Sequence, residues 1–448
     1  MEENKMGVMP VKKLLLSMSL PMMASMLVQA LYNIVDSIFV ARVSESAVTA
    51  VTLVFPMQNL MIALGMGAGV GVNALLSKGL GEKNYKHSDN AANTGLFLTA
   101  FHYILFLLIG FFGSAVFINS QTSDPVIAKY AISYLRIISF MSFGCFFQVM
   151  LERLLQSTGR THLSMISQMS GAIINIILDP IMIFGLFGFP RMEVAGAALA
   201  TCIGQICAAC IGTFLNIKYN HDIHLSFKKI LKPDLETVKS IYFIGIPSML
   251  MMAIGSLMTY FMNLITGMFS STAQAVFGVY FRLQSFFFMP VFGLNNGLIP
   301  VLAYNYGAKN KNRIMEALKF SVVLAFGIML MGTITFAAIP GLLLNIFKAS
   351  GDMLSIGIPA LRIIGLHYPL AAIAIVLGSV FQAFAKSYYS FFVSIARQLV
   401  VLIPVAYLLA LTGNINSVWW AFPIAEIVSL AVTLIFFKRV KRTVVDTL

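Results

Sequence analysis

The sequence predicts an all-α membrane protein with twelve transmembrane helices arranged as two pseudo-symmetric six-helix bundles. Of its 448 residues, 59% are hydrophobic and only 10% are charged, whereas soluble domains carry roughly 25% charged residues. Twelve apolar runs are long enough to cross a bilayer, and the second half of the chain repeats the first. This composition leaves too little polar surface for a water-soluble protein.

The apolar runs define the spans, because a membrane-crossing helix needs about 20 mostly apolar residues. The first run follows lysines, as a signal-peptide core does, but it is far longer than such a core and has no clear cleavage site. We therefore interpret it as a retained span. Several runs exceed the length that a bilayer requires, which indicates tilted helices. The predicted spans are 14–41, 48–77, 92–118, 127–151, 163–187, 194–217, 240–268, 273–303, 316–346, 354–381, 389–411 and 418–437.

The basic residues predict the orientation of these spans. Twelve spans place both termini on one side, and the segments on that side hold 22 of the 30 basic residues. The opposite loops hold only Arg42, Lys129, Arg191 and Lys348. By the positive-inside rule, both termini are predicted to be cytoplasmic. The net charge of +13 thus reflects topology and attraction to membrane lipids, and we expect no nucleic-acid partner.

The two halves of the chain align at a constant offset of 226 residues, which pairs Pro21 with Pro247 and Gln156 with Gln382. An offset of six spans gives the repeats the same orientation and predicts a symmetry axis along the membrane normal. The predicted domains are an N-terminal lobe at 1–217, a cytoplasmic linker at 218–239 and a C-terminal lobe at 240–448. Two such bundles around a cleft are typical of alternating-access carriers. A channel would be indicated by a pore loop, and we see none in the sequence.

Carboxylates inside the predicted spans indicate a coupling site. In the first span, Gln29, Asn33 and Asp36 share one helix face, and in the fifth span Asn175 and Asp179 are spaced i, i+4. An ionised aspartate at the bilayer centre costs about 2.5–3.5 kcal/mol on insertion scales. Loss of water favours the protonated form, and a bound Na⁺ favours the ionised form. Either aspartate is thus suited to carry a proton or to bind Na⁺.

A structural alternative is that the two aspartates only cap or staple neighbouring helices. Polar residues with that role in membranes are more often Ser, Thr, Asn or Gln than Asp. Beside Asp179, Pro180 lacks an N–H group and frees the carbonyl of Ile176, which predicts a bend. Such a bend is tolerated where other groups or a wet cavity satisfy the backbone.

Other polar residues in the spans have simpler interpretations. Glu152, next to Arg153 at the cytoplasmic end of the fourth span, is either part of a solvated ion pair or a cavity carboxylate. His102 and His367 stand alone and are interpreted as packed residues. The four cysteines all lie in apolar runs, and the single CxxC has no second pair nearby, so we interpret them as packing residues.

The second half of the chain lacks matching acids. The offset of 226 takes Asp36 to Met262, and the seventh, eighth, tenth and eleventh predicted spans contain no Asp or Glu. Coupling is therefore predicted in the N-terminal half. The sequence shows no nucleophile–base pair and no group of metal ligands, so we do not expect an enzyme. We also expect no cofactor, and no metal beyond a possible Na⁺ at Asp36, Asn175 and Asp179.

Five stretches together resemble the multidrug and toxic compound extrusion (MATE) transporters of the MOP superfamily, over essentially the whole chain. They are LYNIVDSIFVAR in span one, GAGVGVNALLSKGLGEKN closing span two, QSTGRT after span four, NIILDPIMIFG in span five and VAGAALAT in span six. The resemblance implies export of amphipathic, often cationic, organic compounds driven by inward flow of H⁺ or Na⁺. A glutamate in span seven and an aspartate in span ten, typical of the NorM-like branch, are absent, so the chain looks closer to the DinF-like and MepA-like branch.

The resemblance also implies roles for single residues. The family's cation site matches Asp36, Asn175, Asp179 and Thr201, and Pro21 matches a proline proposed to bend the first helix. Tyr32 resembles a residue that lines the substrate cavity of the N-terminal lobe. The expected cavity set is completed by Gln29, Asn33 and Glu152.

The expected function is a monomeric, cation-coupled antiporter that exports amphipathic, cationic compounds across a bacterial cytoplasmic membrane. The alternative is a flippase for a lipid-linked saccharide or lipid of the same superfamily. Those carriers favour strongly cationic cavities, whereas the candidate residues here, Asp36 and Asp179, are acidic.

Overall fold

The structure, a computed structural model, describes residues 4–347 and 349–448. Residues 1–3 of the predicted N-terminal lobe and Lys348 of a predicted outer loop lie outside the described residues. Across the described residues, all regular secondary structure is helical. The helices are α1 Lys5–Val8, α2 Val11–Ala41, α3 Glu45–Gly81, α4 Tyr85–Leu108, α5 Ser114–Asn119, α6 Pro125–Phe140, α7 Ser142–Ser157, α8 Thr161–Phe184, α9 Glu193–Tyr219, α10 Phe227–Ile230, α11 Leu235–Gly267, α12 Ser271–Gly307, α13 Lys311–Ala338, α14 Pro340–Asn345, α15 Gly351–Gly365, α16 Tyr368–Ala383, α17 Ser387–Ile395, α18 Ile403–Ala410, α19 Ile415–Trp419 and α20 Ala421–Val440, with π-helical segments at Ile109–Gly113, Ala396–Leu402 and Lys441–Val445.

The long helices coincide with the predicted spans. Ten helical stretches of the described chain are long and apolar enough to cross a membrane, and the number reaches 12 if two bent pairs each form one span. Every predicted span overlaps one of these stretches. The all-helical, twelve-span fold class predicted from the sequence is therefore confirmed.

The fourth and tenth spans differ from the prediction. The sequence predicted continuous helices at 127–151 and 354–381, but α6 and α7, and likewise α15 and α16, meet at a 47° bend. In the tenth span, Pro369 has no N–H to donate to the carbonyl of Gly365. The hydroxyl of Thr333 on α13 donates to that oxygen instead, at 2.7 Å. The break is thus stabilised by a neighbouring helix.

At the bend in the fourth span, a freed carbonyl likewise accepts a hydrogen bond from a side chain on another helix. The amide of Gly144 donates to Met141 rather than to Phe140. The freed carbonyl of Phe140 accepts a hydrogen bond from the Tyr103 hydroxyl at 3.3 Å. Polar side chains on adjacent helices therefore allow both breaks within an apolar environment.

Backbone geometry repeats at the offset of 226 residues. Ser44 caps α3 by accepting from the amide of Ala47, and Ser270 caps α12 by accepting from the amide of Ala273. Left-handed backbone conformations also recur, with φ of 58° at Lys83 and 54° at Lys309. The match extends to the last spans, since Thr161–Phe184 corresponds to Ser387–Ala410.

Packing divides the chain into two compact units. Unit 1 contains Asn4 and Ala24–Met249, and unit 2 contains Lys5–Met23 and Leu250–Leu448. The first part of α2 therefore belongs to unit 2, and the first part of α11 belongs to unit 1. These units describe how the helices pack. The division into two lobes that move during transport, with a linker at 218–239, stays a prediction.

Glycines allow the close helix contacts inside each unit. In unit 1, a Cβ atom on Gly71 of α3 would lie 2.4 Å from the carbonyl oxygen of Ile241 on α11. In unit 2, a Cβ atom on Gly297 of α12 would lie 2.8 Å from the Cα atom of Ser19 on α2. Gly71 and Gly297 are equivalent in the repeat, but Ile241 is equivalent to Leu15 and not to Ser19, so the two contacts use the same glycine and differ by about one turn on the partner helix.

Candidate functional site

Three of the four predicted coupling residues form one hydrogen-bonded group between α8 and α9. The Asn175 amide nitrogen donates to Asp179 Oδ1 at 3.3 Å and to Thr201 Oγ1 at 3.2 Å. Asn175 is 2% exposed and Asp179 is fully buried. The i, i+4 spacing on α8 therefore places an amide and a carboxyl group side by side in the interior of unit 1.

Close approach of the two helices makes this group possible. A Cβ atom on Gly204 of α9 would lie 2.7 Å from the carbonyl oxygen of Gly171 and 3.2 Å from the Cβ atom of Asn175. Small residues at such a contact let helix backbones approach in a membrane. The short side chain of Thr201, one turn before Gly204, can then reach Asn175.

Asp36 on α2 is the fourth member of the predicted set. Its side chain is partly buried, and its charge interacts with that of Asp179. Tyr32, one turn earlier on α2, lies in the field of both carboxylates. Tyr32 and Asp36 therefore lie within electrostatic range of the group on α8 and α9.

The site contains more hydrogen-bond acceptors than donors. Asp36 Oδ1, Asn175 Oδ1 and Asp179 Oδ2 are buried and have no hydrogen-bond partner among the described residues. Buried polar atoms normally have partners. Carboxylate and amide oxygens are also the ligands that hard cations prefer. This arrangement is chemically suited to a proton or to a small cation.

Two residues near Asp36 were missed by the sequence reasoning. The Gln58 side chain on α3 donates to the Tyr134 hydroxyl on α6 at 3.1 Å. Tyr134 is 2% exposed and lies in the field of Asp36. Gln58 pairs with Gln284 at the offset of 226, and Tyr134 directly precedes LRII at 135–138, which recurs at 361–364. A polar residue beside a repeated motif was the available signal.

The predicted cavity residues on α2 differ in their surroundings. Gln29 accepts a hydrogen bond from the Gln168 side chain on α8 at 3.1 Å, which connects the two helices a few residues from the coupling group. Asn33 has an exposed side chain. Gln168 was not identified from the sequence, because a glutamine in a span with many serines does not stand out.

Glu152 on α7 is 6% exposed and accepts a hydrogen bond from Gln148 at 3.0 Å. Its neighbour Arg153 is 4% exposed and donates to Gln156 at 2.9 Å. The interpretation of Glu152 and Arg153 as a solvated surface pair is therefore wrong, because both side chains are buried in the packing of α7. A role for Glu152 in a cavity stays a prediction.

The two predicted bending residues lie inside continuous helices. Pro21 is part of α2, in the portion that belongs to unit 2, and Pro180 is part of α8, directly after Asp179. The bends themselves stay predictions.

His102, His367 and two of the four cysteines are buried. His102 is 2% exposed, and its Nε2 atom lies 2.8 Å from the Tyr242 hydroxyl on α11. The four cysteines are unpaired, with Cys145 and Cys202 buried. Among residues 4–347 and 349–448, no group of three or more His, Cys, Asp or Glu side chains is placed to hold a metal ion.

A further buried acid in the second half also escaped the sequence reasoning. Glu426 on α20 is 3% exposed, and Arg397 Nη1 lies 3.4 Å from its Oε2 atom. The sequence analysis noted that the seventh, eighth, tenth and eleventh spans contain no Asp or Glu, but Glu426 lies in the twelfth span. An arginine in the eleventh span was the signal that an acid should lie nearby.

Comparisons with known proteins identify relatives of the whole chain. The sequence profile of the MatE family matches residues 21–181 and 247–408, two stretches that begin 226 residues apart. The multidrug export protein MepA of Staphylococcus aureus (strain MSSA476) is 28% identical over 450 residues, covering 98% of this chain and 96% of that protein. MepA of Staphylococcus haemolyticus is 29% identical over 440 residues, covering 96% and 95%.

Solved structures show the same fold. An outward-facing multidrug resistance transporter of the MATE family superposes with a TM-score of 0.93 at 24% identity, covering 100% of this chain and 99% of that one. A MOP superfamily transporter from Pyrococcus furiosus superposes with a TM-score of 0.89 at 25% identity, covering 98% of both chains.

Proposed function

The chain belongs to the MatE family of membrane transporters, and on that premise we propose that it is an antiporter that exports amphipathic, cationic organic compounds in exchange for H⁺ or Na⁺. The observation that carries this proposal is the occurrence in unit 1 of Asp36, Asn175, Asp179 and Thr201, of which Asn175 and Asp179 are buried. The name of the staphylococcal relatives, multidrug export protein, supports drugs as cargo.

The chemistry of the site explains how exchange would work. Without a cation, Asp36 and Asp179 hold two nearby negative charges in a buried place, and this state attracts a cationic compound. Arrival of H⁺ or Na⁺ supplies a partner for the acceptor oxygens and reduces the negative charge of the site, and two such cations neutralise it, which weakens the attraction. Cargo and coupling cation therefore compete for the same charge, which is the requirement for antiport.

The asparagine amide fixes which oxygen atoms remain available. Because Asn175 donates to both Asp179 and Thr201, its own oxygen atom and the second carboxylate oxygen of Asp179 are left as acceptors. A proton or Na⁺ entering the site meets acceptors that are already oriented. Positioning before binding lowers the cost of ordering side chains around the ion.

The energy source is the inward movement of the cation across a bacterial cytoplasmic membrane. When two coupling cations enter for each singly charged compound exported, one net charge moves inward, and across 100 mV it supplies ~2.3 kcal/mol, enough for about a fifty-fold concentration gradient of cargo. In this proposal both termini are cytoplasmic, the transporter acts as a monomer, and neutralisation of the site is coupled to bending of α2 near Pro21 and of α8 near Pro180. The bundles then alternate access to the two sides.

The test is dye efflux by purified protein in liposomes. We expect the wild-type protein to export ethidium under an imposed pH gradient or under a Na⁺ gradient, and the gradient that works identifies the ion. Asp36→Asn and Asp179→Asn should each reduce coupled efflux at least tenfold, because an amide neither takes up a proton nor carries the charge that binds Na⁺. Glu45→Gln, an exposed acid in the first turn of α3, is the matched control and should retain efflux.

Two other results would redirect the interpretation. If folded Asp36→Asn and Asp179→Asn proteins pump like wild type, the aspartates only join helices and the site assignment is wrong. If wild-type protein moves no cationic dye under either gradient but translocates a lipid-linked saccharide, the flippase alternative replaces the antiporter.

A further inference from the structure

A second charged pair lies in the interior of unit 2, apart from the site described above. Arg397 Nη1 is 3.4 Å from Glu426 Oε2, and the side chains are 29% and 4% exposed. At the repeat offset of 226, Arg397 and Glu426 stand where unit 1 has Gly171 and Ala200. Gly171 and Ala200 flank the coupling group, so equivalent places in the two units contain different chemistry.

Arg397 is presented by an irregular part of the eleventh span. It lies in the π-helical segment Ala396–Leu402, between α17 and α18. Short π-helical turns inside α-helices are frequent at functional sites. Because Arg397 is about midway along Ser387–Ala410, contact with lipid would be costly, and the guanidinium is expected to face protein or a wet cavity.

Most of the donors of Arg397 are unused. Its hydrogen bond from Nη1 to Glu426 is the only one it makes to a residue within the described chain. A guanidinium group has five N–H donors in a planar fork that matches a carboxylate. Glu426 therefore holds one edge of the guanidinium, and the remaining donors are available to a ligand.

An aromatic cluster includes Phe422, which lies one turn before Glu426 on α20. The ring of His367, at the break in the tenth span, stacks on Phe422 at 6.0 Å between centroids and 25° between planes. Tyr280 on α12 contacts Phe422 edge to face at 5.6 Å. Both His367 and Tyr280 lie in the field of Arg397. Apolar rings with one oriented polar anchor are typical of sites for small aromatic ligands.

We propose that Arg397 anchors a second ligand site, which takes the carboxylate of an aromatic organic acid or zwitterion. Glu426 positions the guanidinium and neutralises it when no ligand is bound, which limits the cost of a charge at this depth. The inference rests on the export function proposed above and extends the cargo from cations to compounds that also carry a carboxylate.

The test uses two fluorescent probes that differ in one group, a rhodamine that is a free carboxylic acid and its methyl ester. Binding to purified protein and export from proteoliposomes are both measured. Arg397→Gln should weaken binding of the acid by about tenfold or more, since a charge-assisted hydrogen-bond pair is lost, and should leave the ester unchanged. Arg397→Lys should fall between, because the charge stays but the planar fork is lost.

Glu426→Gln distinguishes a ligand-binding role of Arg397 from a role that only joins two helices. With the acid neutralised, Arg397 keeps a hydrogen-bond acceptor but gains net charge, so the free-acid probe should bind more tightly than to wild type. Arg362→Gln, which removes an exposed arginine of the same unit, is the matched control and should change neither probe.

Several results overturn the inference. One is that Arg397→Gln affects acid and ester equally in a protein that unfolds at the wild-type temperature. Another is that Glu426→Gln weakens the acid as Arg397→Gln does. If Arg397→Gln does not fold, Arg397→Lys and Glu426→Gln carry the test. Wild-type export of the ester with no binding of the acid overturns this inference alone, whereas binding of the acid without export of either probe contradicts the proposed function and supports the site.

Discussion

Because Gly204 has no side chain, α9 approaches α8 closely enough for Asn175 and Thr201 to form a hydrogen bond. Gly204 and Gly171 bring α9 against α8, and the only space for a methyl group there is occupied by the carbonyl oxygen of Gly171 at 2.7 Å. Because that atom belongs to the backbone, it cannot move without the whole helix. A hydrogen bond in the site thus depends on a residue that has no functional group.

Gly204→Ala tests this dependence. We expect a loss of about 1–3 kcal/mol in unfolding free energy, the usual cost of overpacking, with a parallel loss of coupled efflux as Thr201 moves away from Asn175. The measurements are thermal unfolding in detergent and ethidium efflux. Gly327→Ala is the control, because no atom lies within 4 Å of its added Cβ, and it should be neutral or slightly stabilising. Equal effects of the two substitutions would contradict the role given to this contact.

At this scale the sequence shows some functional residues and hides others. Asp36, Asn175 and Asp179 stand out because charged and amide groups are rare in apolar runs. Tyr134 and Gln168 do not, because such residues occur at helix ends and interfaces throughout the chain. Their partners lie on other helices, and a one-dimensional pattern contains no information about which helices meet. Glu426 could have been predicted, because an arginine inside a span, here Arg397, indicates an acidic partner on a neighbouring helix.

The tenth span shows how one helix depends on another. Thr333 on α13 supplies the hydrogen bond that the Pro369 ring cannot make to Gly365. The break between α15 and α16 presents His367, which stacks on Phe422 next to the Arg397 pair. The shape of this element is therefore fixed by a side chain from a separate span.

Thr333→Val keeps the shape of the side chain and removes the hydroxyl. We expect a loss of about 0.5–1.5 kcal/mol, typical of interhelical hydrogen bonds in membranes, seen as a lower unfolding temperature in detergent. Thr335→Val is the matched control, because the Thr335 hydroxyl bonds only to Met331 in its own helix. If Thr333→Val unfolds at the same temperature as Thr335→Val, the break is stable without this bond.

Element boundaries were predictable, but element shape was not. Charges, caps and glycines mark where helices begin and end, so predicted and observed spans overlap throughout. Proline alone does not mark a break: Pro21, Pro56 and Pro180 lie inside continuous helices, whereas the tenth span breaks just before Pro369. In the tenth span the freed carbonyl accepts from Thr333 of another helix, and this is a property of packing.

At the scale of the whole molecule, the two units share the two helices α2 and α11. Residues 5–23 pack with unit 2, where Arg313 also donates to the carbonyls of Met6 and Met9 at 3.0 and 2.7 Å. Residues 235–249 pack with unit 1 through the contact of Gly71 with Ile241. Each half of the chain therefore contributes a helical segment to the unit formed mainly by the other half.

This sharing predicts that a chain divided between Lys232 and Pro233 still assembles. We expect fragments 1–232 and 233–448, co-expressed with a tag on one, to co-purify in mild detergent. Gly71→Leu combined with Gly297→Leu should reduce co-purification at least several-fold, because both side chains meet backbone atoms. Gly278→Leu, which meets no atom within 4 Å, should not. Separation of the unmodified fragments would contradict the prediction.

The repeat was predictable from the sequence and the sharing was not. The offset of 226 recurs in the caps, the left-handed turns and the stretches that match the MatE profile. Apolar length gives the number of spans, but it does not say which bundle a span joins. The available hint was the spacing of Gly67 with Gly71 and of Gly293 with Gly297, since a GxxxG pattern indicates a close helix neighbour.

The sharing of α2 also imposes an order on synthesis. Residues 5–23 leave the ribosome long before the residues that hold them, from Gly293 to Arg313. At ~5–20 residues per second, the delay is on the order of 15 to 60 s. During this interval the segment has no native partner in unit 2, and unit 1 lacks residues 235–249 until the second repeat begins. The nascent chain is therefore most exposed to quality-control proteases midway through translation, before either unit is complete.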